Sequence, residues 1–113
     1  MRARDDNTRA AFRRGLALGA AGDYFAAHEA FEEAWRVCDG SERDFFQGLV
    51  HAVVFAYQLG RGRTVGAERQ REKALIRLAS FAPVHRGLEL TALLEALRAG
   101  EPDLRECLVE RDP

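Results

Sequence analysis

The chain places one histidine among carboxylates on the apolar side of a helical segment. At 100° per residue, His28 shares a stripe with the apolar side chains between Tyr24 and Cys38, while Glu32 lies at its border and Glu29 turns towards water. A buried polar group without a partner costs about 1–3 kcal/mol. The segment therefore predicts either an internal hydrogen-bond network or half of a site that another part of the chain completes.

A second polar row is the predicted other half. The stretch from about residue 44 to Leu59 is apolar almost all round, which is typical of a central helix. Its polar exceptions, Gln47, His51 and Gln58, align within about 40° on one side. A tight antiparallel hairpin of the two helices would join the rows at these heights: Trp35 beside Gln47, Phe31 and Glu32 beside His51, and Tyr24 beside Gln58.

Three interpretations of this cluster stay open. It is a buried network, in which Glu32 accepts from His51 while His28 bonds a backbone carbonyl or Tyr24. Alternatively, it is a ligand pocket with Trp35 and Phe55 as apolar walls and the polar row as orienting groups. The third interpretation is a metal site.

The metal interpretation depends on the run from His28 to Glu32. It reads as HExxH with its last histidine replaced by glutamate, so that His28 and Glu32 share one side of a helix. His51 would be the third ligand and Glu29 the general base of a metal-dependent hydrolase. Carboxylate-rich helices produce this short pattern by chance, so we expect no cofactor and keep a divalent metal as the alternative.

The segment from Arg61 to Arg77 is rich in basic residues. Its glycines 62 and 66 flank a predicted helix start, where backbone amides could meet an anion with Arg61 and Arg63 supplying charge. The segment lacks a GxxxxGK[ST] run, so it is no nucleotide-binding loop. A solvated basic surface is the alternative, and an anion or RNA-associated module is a further candidate function.

Helical periodicity dominates the chain, and the predicted fold is all-α, a compact bundle of five main helices built from two helical hairpins. The first hairpin has the spacings of a tetratricopeptide unit, echoed weakly 40 residues later. Caps, glycines and prolines predict these helices: Asn7–Ala21, a second capped by Asp23 and ending near Cys38, a third from Ser41 or Asp44 to Leu59, a fourth from Thr64 to before Pro83, a fifth through Leu90 and Leu97, and a short last one from Pro102 to Leu108.

Length and composition predict one domain over residues 1–113. Its core spans 7–100, and residues 1–6 and 109–113 are expected to be flexible. The net charge of -1 argues against general nucleic-acid or membrane binding. Cys38 and Cys107 match no metal spacing and read as reduced thiols of a cytoplasmic protein. The partner is unknown, and a homodimer would follow from an exposed stripe on the fifth helix.

The chain resembles the domain-of-unknown-function 309 family, small all-helical proteins of bacteria and archaea. The resemblance spans most of residues 10–97 and lies in these runs: Gly22-Asp23-Tyr24-Phe25, Ala27-His28-Glu29, Glu32-Glu33 with Trp35-Arg36, Phe46-Gln47-Gly48-Leu49 and Gly66-Ala67. It implies a helical bundle with a shared polar cluster at His28, Glu29, Glu32 and Gln47, and no assigned activity. The chain departs from the family pattern at three positions: His51 for glutamine, Gln58 for histidine and Arg63 for asparagine. A row in which His and Gln exchange suits a hydrogen-bonding network or pocket better than fixed metal ligands.

Overall fold

A computed structural model describes residues 2–110 and confirms the all-α fold with five helices. The helices are α1 (Arg2–Ala20), α2 (Tyr24–Val37), α3 (Arg43–Gly60), α4 (Thr64–Leu78) and α5 (Leu90–Arg98). Single 3₁₀ turns cover Gly40–Glu42, Ala79–Phe81 and Arg105–Leu108. Two antiparallel strands of two residues, β1 (Val84–His85) and β2 (Leu88–Glu89), precede α5.

Consecutive helices from α1 to α4 pack against one another, with α3 in the middle. The side of α3 that carries Phe45, Leu49 and Val53 has no exposed surface. Phe45 and Phe46 pack edge to face, with ring centroids 5.0 Å apart, and both contact Phe12 of α1. The predicted central position of α3 is therefore confirmed.

The helix starts follow from local hydrogen bonds. Asp23 accepts from the Ala26 amide at 3.1 Å and caps α2 as predicted. The Asp39 carboxylate accepts from the Ser41 amide at 2.9 Å and caps the 3₁₀ turn, so the predicted caps Ser41 and Asp44 are wrong. Glu89 accepts from the Thr91 amide at 2.7 Å and starts α5.

The structure departs from the sequence prediction at both ends of the chain. Helix α1 begins at Arg2 instead of Asn7, and the predicted last helix is a 3₁₀ turn. An isolated antiparallel β-bridge pairs Glu110 with Leu88, so the C-terminal segment lies beside β2 of the hairpin. Met1 and residues 111–113, parts of the expected flexible ends, lie outside the described residues.

The predicted loop after Pro83 is a β-hairpin. Arg86 and Gly87 have φ angles of 51° and 77°, as the two central residues of a type I′ turn require. Two-residue strands leave too little alternation for a sequence pattern to show them.

The leucines of α5 and the C-terminal segment complete the core. Leu93 and Leu97 have no exposed surface, and the same holds for Leu104 and Leu108 beyond the helix. The apolar stripe of α5 is therefore buried, which removes the reason that the sequence offered for a dimer through this helix. Among residues 2–110, no helix is both long and apolar enough to cross a membrane.

Candidate functional site

The outer side of α3 is partly accessible to solvent between α2 and α4. On one flank Phe25 of α2 contacts Tyr57, with ring centroids 5.5 Å apart. On the other flank His51 bonds to Gln70 of α4. Between these contacts lie Gln47, Val54 and Gln58, all half-buried. We name this surface the three-helix face and define it by His28, Glu29 and Glu32 of α2, Gln47 and His51 of α3, and Arg69, Gln70 and Lys73 of α4.

The histidine of the opening motif bonds within its own helix. Its Nδ1 lies 3.3 Å from the Phe25 carbonyl oxygen, and its Nε2 lies 3.4 Å from Glu32 Oε1. The backbone-carbonyl partner is the one that the network interpretation predicted. The His28 side chain is 24% exposed, so it lies at the edge of the three-helix face.

The second histidine faces α4. Its Nδ1 lies 2.7 Å from Gln70 Oε1, and only 9% of His51 is exposed. Burial lowers the pKa of His51, and the nearby cations Arg77 and Lys73 act in the same direction, so the ring is neutral at pH 7. A neutral ring that donates from Nδ1 to Gln70 keeps Nε2 as an acceptor.

The predicted hydrogen bond between Glu32 and His51 is wrong. Glu32 pairs with His28, and His51 pairs with Gln70. The cause is the rotation of α3: its polar row borders α4 as well as α2, and the spacing of the row could not show which neighbour each member meets.

Gln47 is the unusual member of the row. Its Oε1 is buried and has no hydrogen-bond partner among the described residues. The Gln58 side chain, by contrast, lies against Gly66 of α4, where an added Cβ would overlap its amide. Gln47 thus carries a desolvated acceptor that the fold itself does not satisfy.

The two aromatic candidates at the ends of α2 have other partners. The Tyr24 hydroxyl accepts from the Leu104 amide at 2.9 Å, so Tyr24 holds the C-terminal segment instead of facing Gln58. Its pKa is raised, chiefly by burial. The Arg43 guanidinium lies 4.1 Å from the centre of the Trp35 ring. Trp35 is therefore a stacking surface for Arg43 at the start of α3.

The predicted metal ligands do not converge. Within residues 2–110, no three His, Cys, Asp or Glu side chains form a group that could hold an ion. His28 and Glu32 are joined to each other, His51 is bonded to α4, and the candidate base Glu29 is exposed.

The predicted anion residues lie at the α3–α4 turn. The Arg61 guanidinium lies 5.5 Å from the centre of the Tyr57 ring, and Gly62 has a φ of 76°. Arg63 precedes α4 and gives it no side-chain cap. Further along α4, Arg71 is paired with Glu68 and Arg77 with Asp44.

A second ionic cluster was not predicted. Glu42 accepts from His85 Nε2 at 2.7 Å and from Arg86 Nε at 2.6 Å, and Arg86 also reaches Asp5 at 3.1 Å. The His85 ring packs against Phe45, with centroids 4.5 Å apart. We name Glu42, His85, Arg86 and Asp5 the Glu42 cluster. The only available signal was a glycine at position 87 after a short apolar-polar alternation. It permits a hairpin but does not specify that His85 pairs with a carboxylate 43 residues before it.

A groove of about 930 Å³ lies between α1, the hairpin and α5. Several charged residues of its walls already have partners: Arg13 pairs with Glu110 at 3.1 Å, and Glu89 caps α5. Arg86 belongs to the Glu42 cluster. The buried polar atom without a partner among residues 2–110, Gln47 Oε1, lies on the three-helix face and not in this groove.

Comparison with known proteins identifies a matching family. The family model described as "Domain of unknown function (DUF309)" matches residues 12–70, which is more than half of the chain. No curated protein matches the chain. No solved structure matches the chain either. The matched stretch contains the polar residues of α2 and α3 and extends to Gln70 of α4.

Proposed function

The chain belongs to the DUF309 family, and we propose that it is a binding module whose partner docks on the three-helix face. The description of the family names no activity. The proposal therefore depends on the geometry of this chain.

The buried Oε1 of Gln47 is the observation that carries the proposal. A buried acceptor without a partner costs about 1–3 kcal/mol, so this oxygen does not stabilise the fold. His51 Nε2, one helical turn away, is a second free acceptor. Side chains that cost stability and lie beside an exposed surface are typical of binding sites.

The flanks of the face support binding in preference to covalent chemistry. Glu29 and Glu32 present negative charge on α2, and Arg69 and Lys73 present positive charge on α4. A partner can therefore be oriented by charge while it donates hydrogen bonds to α3.

The variant Gln47→Met tests the proposal by removing the polar atoms while keeping the length of the side chain. We expect the free energy of unfolding to stay constant or to rise by about 1 kcal/mol, because the unpaired oxygen disappears. Urea unfolding followed by circular dichroism at low protein concentration gives this value.

Gln58→Met is the matched control, since the same change occurs on the same row without an orphaned atom. We expect it to change the free energy of unfolding by less than about 0.5 kcal/mol. A loss of more than about 1 kcal/mol in Gln47→Met alone would show that the amide serves the fold, and the proposal would fail.

A further inference from the structure

Building on the proposed function, we infer that the partner is a second copy of this chain. The three-helix faces of two copies pack together around a two-fold axis that runs parallel to α3. Each α2 then lies on the α4 of the other copy, and the two α3 helices meet at the axis.

The heights of the three helices are fixed by side-chain contacts. Helix α2 meets α3 through Phe25 with Tyr57 and through Trp35 with Arg43. Helix α4 meets α3 through Gln70 with His51 and through Arg77 with Asp44. These contacts show that α2 and α4 both run antiparallel to α3 and lie on its two sides. They bring Glu32 to within about one helical turn of the height of Lys73, and Glu29 to within about one turn of the height of Arg69.

These charges cannot pair within one chain. Helices α2 and α4 are separated by α3, and two helix spacings amount to about 16–20 Å. Within the described part of the chain, Arg69 and Lys73 form no ion pair, while Glu32 contacts only His28 at 3.4 Å. Opposite charges at similar heights therefore lie on the two flanks of one face without pairing with one another.

The charge pattern selects one symmetry. A two-fold axis parallel to α3 leaves the position of each residue along α3 unchanged and places the α2 flank of one copy on the α4 flank of the other. Glu32 of one copy then faces Lys73 of the other. A two-fold axis across the helices would instead put α2 on α2 and α4 on α4, with like charges opposed. Complementary potentials set the register of an interface, and opposed like charges disfavour the alternative.

The centre of the face suits self-association as well. Gln47 lies near the axis, and a glutamine amide carries both a donor and an acceptor, so two copies of it can pair after a side-chain rotation. Polar residues pair in this way at dimer axes of coiled coils. Phe25 is 50% exposed on the flank of the face, where its ring also contacts Tyr57. Packing of this ring against the second copy would bury apolar surface on both flanks of the interface, at one end of it.

One pair of charges opposes the dimer. Arg36 is level with Arg77, but Arg77 is already paired with Asp44 at 2.7 Å. The face is also small: α2 is 14 residues long, about 21 Å, and three helices span about 25 Å, which gives about 500 Å² per copy. A standard interface takes about 800 Å² per partner, so we expect a weak dimer with a dissociation constant of the order of 100 µM.

Sedimentation equilibrium of the full chain between about 10 µM and 1 mM tests the inference. We expect a concentration-dependent shift from monomer to dimer. We also expect Glu32→Lys and Lys73→Glu to raise the dissociation constant at least about tenfold, because each opposes like charges at two positions. A protein that stays monomeric at about 1 mM overturns the inference.

Mixing the two variants gives the sharpest result. The Glu32→Lys chain and the Lys73→Glu chain should form a mixed dimer at least as tight as the wild-type dimer, because every facing pair becomes opposite in sign. Glu106→Lys and Arg98→Glu are matched controls, since both residues are exposed and lie outside the three-helix face. A dimer that the face variants weaken no more than these controls do would also overturn the inference.

The two proposals can fail separately. If the protein stays monomeric while Gln47→Met leaves the free energy of unfolding unchanged, the inferred dimer is wrong and the proposed binding function is still supported. If Gln47→Met destabilises the fold, the proposed function fails whatever the oligomeric state.

Discussion

Glu42 accepts hydrogen bonds from two side chains that lie more than forty residues further along the chain. Its side chain is 15% exposed and that of Arg86 is 17% exposed, so the pair is largely shielded from solvent. Arg86 also reaches Asp5. Glu42 and Arg86 together therefore tie the first turn of α1, the turn before α3 and the hairpin to one another.

The pH dependence of stability should report this residue. The hydrogen bond from Arg86, followed by that from His85, lowers the pKa of Glu42 below its usual 4.5. Because the folded state holds the proton less tightly than the unfolded state, the contribution is complete above pH 4.5 and is lost as pH falls through the folded pKa. Urea unfolding should show a steeper loss of stability below pH 4.5 for the wild type than for Glu42→Gln.

At pH 7 the same variant should lose about 2 kcal/mol, because Arg86 keeps a largely buried charge whose remaining partner is the half-exposed Asp5 carboxylate. Asp44→Asn is the control. It breaks the ion pair with Arg77, whose side chains are 66% and 42% exposed, and should cost less than about 0.5 kcal/mol. Equal losses in the two variants would show that burial of the Glu42 cluster does not matter.

At the scale of elements, the α1–α2 hairpin depends on a missing side chain. Gly15 of α1 lies beneath the ring of Phe31, and an added Cβ would overlap that ring. Phe31 has no exposed surface, so it cannot swing out into solvent. The close approach of the two helices therefore requires glycine at this position.

The variant Gly15→Ala should lower the free energy of unfolding by about 1–3 kcal/mol, because the helices must separate or the ring must leave its rotamer. Gly60→Ala is the matched control, since no atom lies within 4 Å of its added Cβ. A better helix former at the end of α3 should raise stability by up to about 1 kcal/mol. Thermal unfolding of both variants measures the contrast, and a neutral Gly15→Ala would contradict the proposed close contact.

The sequence predicted the elements whose signals are local. Asp23 and Gly22 mark the start of α2, and apolar periodicity marks α3 as the central helix. The antiparallel register of the two is confirmed by the contact of Phe25 with Tyr57, close to the predicted height of Tyr24 and Gln58.

What the sequence could not predict depends on long-range contacts. The first turn of α1 has no apolar periodicity and is tied by Asp5 to Arg86, 81 residues away. The spacing of Gln47, His51 and Gln58 predicted a partner for His51 on α2, but its partner is Gln70 on α4. A polar row about 40° wide borders both neighbours of α3, and only tertiary packing determines which side chain each member contacts.

At the scale of the whole molecule, the family match and the folding unit differ in extent. The match ends at residue 70, within α4. The core continues through seven leucines of the hairpin, α5 and the C-terminal segment, all at most 4% exposed: Leu88, Leu90, Leu93, Leu94, Leu97, Leu104 and Leu108. The elements that present the three-helix face are therefore held by residues that lie outside the matched stretch.

A chain ending at Ala82 should not fold cooperatively, although it keeps α1 to α4 complete. Each buried leucine contributes about 2 kcal/mol, so loss of the seven removes more than about 10 kcal/mol, which is comparable to the whole stability of a small domain. The truncation also removes His85 and Arg86 and leaves Glu42 without its partners. Urea unfolding should show no sigmoidal transition for this fragment, while a chain ending at Glu110 should keep the wild-type midpoint. A cooperative transition in the shorter fragment would mean that the four helices form an independent unit, and that the C-terminal leucines cover a core that is already stable.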